Sequence, residues 1–148
     1  MKKKFAFLVL FWCSVFMYAQ NYTQAQEELR SDISSYLSRQ GLNPENQSDG
    51  LKFKSEGSNY YIEIDKDEKS PMYLRLCRYV KYSDTIKQGT IAKNINSYNA
   101  KLGIKVCAKE NGVVISSEMY LVSSSDFIDV FSTLLSQMKA AYKQIVNQ

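Results

Sequence analysis

Apolar residues recur along this chain with two different periods, and the switch between the two predicts its elements. From Gln24 to Gln40, Ala25, Leu29, Ile33 and Leu37 fall every four residues with Tyr36 beside them. One side is greasy and the other charged, as in a helix laid on a core. Gly41 is placed to end it. The stretch Asn43 to Asp49, with Pro44, shows no period and reads as a loop.

The period then falls to two. Leu51–Lys54, Tyr60–Ile64 and Met72–Tyr82 alternate apolar and polar positions, which predicts strands with one buried face. Glu56-Gly57-Ser58 forms the first turn between them, and Lys66 to Ser70 reads as a charged turn ended by Pro71. Helical spacing returns with Ile91, Ile95, Tyr98 and Leu102. That predicts a helix starting at Asp84 or Thr85 and closed by Gly103, although Gly89 weakens its first half. A hairpin follows, with strands Ile104–Lys109 and Val113–Val122 around Glu110-Asn111-Gly112. Ser123 to Asp126 supply caps for a last helix from Phe127 to about Val146, whose stripe includes Val130, Phe131, Leu134, Leu135, Met138 and Tyr142. The expected fold is α+β in the order α-β-β-β-α-β-β-α: a five-stranded antiparallel sheet with helices packed mainly on one face.

The first nineteen residues follow neither period. Lys2 to Lys4 precede an apolar run from Phe5 to Phe16, and a short segment ends in Ala19. This is the pattern of a secretory signal peptide, and the run is shorter than the roughly 20 apolar residues that span a bilayer. The reading is a leader over 1–19, cleavage near Ala19, a single α+β domain over 20–148, a periplasmic or secreted location, and no stable membrane anchor after cleavage. A lipid attachment signal at Cys13 fits poorly, because Trp12 stands where a small residue is needed.

Charge and composition change once that leader is set aside. Of 19 basic residues, Lys2, Lys3 and Lys4 lie in it, and none of the 15 acidic residues does, so the net charge falls from +4 to +1. A balanced chain without a basic cluster gives no nucleic-acid footprint. With no His, imidazole-based triads, histidine-ligated zinc and imidazole pH switching are excluded. Beyond the leader only Cys77 and Cys107 remain, too few for a thiolate zinc site. They stand either as a disulfide closing the intervening loop or as two free thiols on separate strands.

At this point the chain resembles a known family. Its element order, with Ile95-Asn96-Ser97-Tyr98-Asn99 on the middle helix, is similar to the YbjN-like domains, whose middle helix carries an Asn-x-aromatic-Asn signature. Those domains share the fold of type III secretion chaperones. The match runs from about Glu27 to Ile145, with Ser123-Ser124-Ser125 where that family places glycines. The resemblance implies a binding or regulatory module, often dimeric, that is not an enzyme and has no cofactor.

Candidate residues divide by surface. On the outward sheet face, Tyr61, Tyr73, Arg75 and Tyr120 offer flat phenols beside a guanidinium, the side chains that give broad contact and directed hydrogen bonds. Ordinary cross-strand packing is the plainer account of them. Asn96 and Asn99 share a helix side, suited to holding a partner or a strand end, or to tying the helix to a loop. The carboxylates Glu63 and Asp65 share the outward face of one strand, and the cluster Asp65, Asp67 and Glu68 reads as a solvated turn, with neither the EF-hand spacing nor the cleft of a glycosidase. No catalytic, cofactor-binding or metal site is expected. The functional expectation is an exported, non-enzymatic module binding an unidentified protein partner, with a homodimer among the arrangements. The alternative is a small-ligand binder with a pocket between sheet and helices lined by Tyr60, Tyr79 and Tyr98.

Overall fold

The structure, a computed structural model, describes residues 22–100 and 103–147. The expected leader and its cleavage point lie outside these residues, as does the expected helix end at Leu102. The first described element is helix α1 (Gln24–Arg39), followed by strands β1 (Glu45–Gln47), β2 (Gly50–Ser55), β3 (Ser58–Lys69) and β4 (Met72–Lys81). Helix α2 (Gln88–Asn99), strands β5 (Lys105–Lys109) and β6 (Gly112–Leu121), and helix α3 (Ser124–Val146) complete it. The strands form one antiparallel sheet in the order β1-β2-β3-β4-β6-β5. A meander thus leads to β4, α2 carries the chain past β6's place, and β6 returns between β4 and β5.

The sheet has six strands rather than the expected five. The extra one, β1, falls in the stretch read as a loop. All three of its residues are exposed, so no buried face imposes an alternation, and pairing of Glu45, Asn46 and Gln47 with β2 makes it a strand. The expected charged turn at Lys66–Ser70 is also corrected, because β3 continues through an irregularity to Lys69. The reason lies in α1. Thr23 caps that helix, and buried Gln26 accepts the Thr23 N–H at 2.8 Å while its Nε2 donates to the Asp65 and Glu68 carbonyls at 2.8 and 3.2 Å. A long-range hydrogen bond therefore holds the polar end of β3 extended.

The middle helix starts later than expected. Ser83 and Ile86 bond each other's backbones in a closed turn, and Ile86 is buried there. The last helix starts earlier, at Ser124. The Asp126 carboxylate accepts the N–H groups of the N-cap Ser123 and of Val122 before it, both at 2.9 Å, as in a capping box.

One hydrophobic core joins all three helices to one sheet face, through residues such as Leu29, Ile33, Leu51, Ile62, Leu74, Leu76, Ile91, Val106, Ile115 and Met138. Phe131 of α3 is a meeting point, with ring centroids 5.7 Å from Phe53, 5.6 Å from Tyr36 and 5.4 Å from Phe127. Arg78, on this same face, lies over the Tyr142 ring at 3.4 Å, which shields the core near the edge of the sheet.

Two glycines should respond oppositely to alanine. At Gly50, φ is +145° and a Cβ would come within 1.9 Å of the Ile62 carbonyl oxygen. Gly50→Ala should cost about 2 kcal/mol or more. At Gly89, inside α2, a Cβ meets nothing within 4 Å, and Gly89→Ala should add roughly 0.5–1 kcal/mol. Urea unfolding of both variants checks the pair of signs.

Candidate functional site

Among the described residues, three helices lie on one side of the sheet and the other side carries side chains alone. Strand alternation turns Tyr61 and Glu63 of β3, then Tyr73, Arg75, Cys77 and Tyr79 of β4, onto that open face. Val114, Ser116, Glu118 and Tyr120 of β6 and Lys105 and Cys107 of β5 join them by register.

Charges line up across the strands. Arg75 stands opposite Glu63 on one neighbour and Glu118 on the other. Its guanidinium donates to Glu63 Oε2 through both Nε and Nη2, the paired geometry that favours Arg over Lys. Lys105 reaches back to Glu118 at 3.3 Å, so the signs alternate along the row. Glu63 is the hub, since its Oε1 also accepts the Tyr79 hydroxyl at 2.5 Å and the Cys77 thiol at 3.2 Å.

A tyrosine pair flanks the charged row on each side. Tyr61 meets Tyr79 edge-on with centroids 5.4 Å apart, and Tyr73 meets Tyr120 at 5.3 Å, near the preferred geometry for aromatic pairs. Tyr79 and Tyr120 remain 50 % and 61 % exposed, although both are large rings that could have packed away. Beneath them Cys77, Val114 and Ser116 are buried without help from any helix. Open depressions of about 320 and 520 Å³ flank Tyr73, the first reaching Glu63 and Arg75, the second Glu118 and Tyr120.

The titratable groups of this face are held in their contact-making forms. Burial pushes the Glu63 carboxyl up, but the hydrogen bonds from Tyr79, Arg75 and Cys77 outweigh it and hold the group below its ordinary 4.5. Burial, then the adjoining Glu118, raise the Tyr73 phenol to about 12, and burial with the Glu63 hydrogen bond raises Tyr79. Burial and the Glu63 charge push the Cys77 thiol up to about 12. At neutral pH Tyr73 and Tyr79 are therefore neutral phenols, Arg75 and Glu63 are charged, and Cys77 is a thiol, the form that is not the nucleophile. Among the described residues no three His, Cys, Asp or Glu side chains converge to hold a metal ion.

The structure brings all four residues of the expected contact surface, Tyr61, Tyr73, Arg75 and Tyr120, onto this face. Three further participants were not in that set. Tyr79 and Glu118 were within reach of the alternation, sharing the parity of Arg75 and Tyr120, whereas the hub role of Glu63 needs the register with β4. Asn96 is exposed on α2, while Asn99 bonds the backbone of Val106. Cys77 and Cys107 are free. They lie on β4 and β5 with β6 between, and two strand spacings of about 4.8 Å exceed the roughly 7 Å a disulfide can bridge. The tyrosine-lined pocket between sheet and helices is corrected. Tyr60 and Tyr98 are buried in the core, and Tyr79 projects from the opposite sheet face.

The architecture has known counterparts. YbjN from E. coli, a candidate transcription regulator, superposes with a TM-score of 0.57 at 12% sequence identity, covering 76% of this chain and 86% of that one. A chain of the HopA1–SchA chaperone–effector complex superposes with a TM-score of 0.51 at 10% identity, covering 80% and 97%. Neither a protein-family model nor a curated protein sequence matches the chain. The chain therefore has a YbjN-like, chaperone-like fold, as the resemblance in the sequence implied.

Two measurements check the electrostatics of the face. A carboxyl whose folded-state pKa is depressed contributes stability above its unfolded pKa and loses it as pH falls through the folded value. The stability difference between the unmodified protein and Glu63→Gln should thus be largest at neutral pH and shrink below about 4.5, followed by urea unfolding across pH. In native protein, alkylation mapped by mass spectrometry should mark half-exposed Cys107 and leave Cys77 unmodified until the chain unfolds.

Proposed function

We propose that this chain is an exported, non-enzymatic module that binds a protein partner through its open sheet face. The observation carrying the proposal is that face itself: two tyrosine pairs, each with one exposed ring, around a Glu63–Arg75–Glu118 row, with no helix over it among the described residues. Tyr and Arg are enriched in binding hot spots, Tyr because it gives large contact area for little lost side-chain freedom and Arg because it adds directed hydrogen bonds. The ion pairs and ring contacts already fix the side chains, so less ordering is left for the moment of binding. The chaperone–effector complex among its structural counterparts supports a protein as the bound molecule. Export rests on the Lys2–Lys4, Phe5–Phe16 and Ala19 pattern. Among the described residues no helix is long and apolar enough to cross a membrane.

Capture from an envelope extract tests the contact. Replacing Tyr61, Tyr73 and Tyr120 together by Ser should reduce the captured partner roughly tenfold or more. Undiminished capture of every partner would end the proposal. Light scattering on the same variants separates a second copy of this chain from a foreign partner. Export predicts that N-terminal sequencing of protein from the periplasm or culture medium reads from about Gln20, and an intact Met1 in that fraction refutes the cleaved leader.

A further inference from the structure

The outer strand at one end of the sheet is occupied by a side chain in place of a neighbour. Asn99, the last residue of α2, reaches β5 with its carboxamide. Its Oδ1 accepts the Val106 N–H at 2.6 Å, and its Nδ2 donates to the Val106 carbonyl at 3.2 Å. β5 pairs with β6 on its other side and ends the sheet. In an antiparallel strand each residue turns its N–H and C=O to the same side, and the next residue turns them to the other. Val106 therefore points its pair outward, and Ala108 does the same by parity. The carboxamide gives Val106 the donor and acceptor that one residue of an added strand would give.

We propose that β5 is a docking edge for an extended, carboxylate-bearing segment of a partner protein, held shut by α2 through Asn99. This goes beyond the open-face proposal, because it uses backbone groups at the edge rather than the tyrosines. The charge of β5 selects the occupant. Lys109 and Lys105, the latter already paired with Glu118, bracket Val106-Cys107-Ala108. Two copies paired over the full length of β5 would set Lys105 opposite Lys109 twice, and like charges directly opposite oppose pairing. A strand with Glu or Asp at those positions reverses that sign. The latch is built on a weak helix. α2 contains Gly89, Thr90, Asn94, Asn96 and Ser97, all weak helix formers, and no side chain bonds its N-cap. Ile91 and Tyr98 are its buried residues, so lifting it uncovers two core side chains.

The test uses the acetylated and amidated heptapeptide Thr-Glu-Val-Thr-Val-Glu-Thr, labelled for fluorescence anisotropy, and a counterpart with Lys for Glu. Asn99→Ala, a helix-compatible change at an exposed position, should bind the acidic peptide at least about tenfold more tightly than the unmodified protein. Asn99→Asp, which keeps the acceptor and loses the donor, should fall between them, and it carries the test if the alanine variant does not fold. Adding Ala108→Pro removes an outward N–H without breaking a bond to β6, and should abolish the gain. The Tyr61, Tyr73 and Tyr120 triple replacement should leave the gain intact, which separates this edge from the open face. Equal binding by folded Asn99 variants and unmodified protein overturns the proposal, as does a gain that survives Ala108→Pro. Equal binding of the Lys peptide, or self-association of Asn99→Ala in place of peptide binding, overturns the assigned partner chemistry.

Discussion

A sheet has two faces, and here the helices cover one. That constraint governs the rest of the molecule. The covered face is solved by ordinary burial, with Phe53, Ile62, Leu74, Leu76 and Ile115 meeting Leu29, Ile33, Phe131 and Met138. The other face must keep polar groups satisfied and small residues dry by cross-strand pairing alone. Glu63 does this by accepting from Arg75, Tyr79 and Cys77 at once. Its negative charge is stabilised by those donors, and in turn it fixes their rotamers. Cys77 and Ser116 become buried on a face that no helix among the described residues protects.

Local rigidity of that kind connects structure to the proposed activity. A protein-binding surface made of loose lysines and glutamates would lose much side-chain freedom on contact. Here the phenols stand against each other, and the charged row is already paired. The edges are restrained as well as the face. β1 is three residues long and bound to β2 by the Lys52–Glu45 ion pair at 3.0 Å, while Asn99 occupies the outward groups of β5. Such edges resist indiscriminate strand pairing.

Most elements were legible in the sequence, and where they were not, the reason is specific. Helix α1 and strands β2 and β4 carry buried residues at regular spacing, so period located them, while the Asn111-Gly112 turn marked the β5–β6 hairpin. Strand β1 and the far end of β3 carry no buried residues. Their conformation comes from backbone pairing and from the Gln26 side chain, whose acceptors in β3 lie 39 and 42 residues away. The placement of Tyr61, Tyr73, Arg75 and Tyr120 on one face followed from parity. Their grouping into two ring pairs around Glu63 followed from register, which parity does not contain.

By itself the sequence determined which residues lie inward and which outward, because a period of two or 3.6 assigns each side chain to a face whatever its neighbours are. It also settled that no imidazole chemistry operates here, since the chain has no His. Tertiary structure alone decided which outward residues meet. The return of β6 between β4 and β5 sets Glu118 beside Arg75 and keeps Cys77 from Cys107, and the end of α2 brings Asn99 to Val106. Strand order and register arise from many weak contacts summed over the whole core, so no short stretch of sequence encodes them.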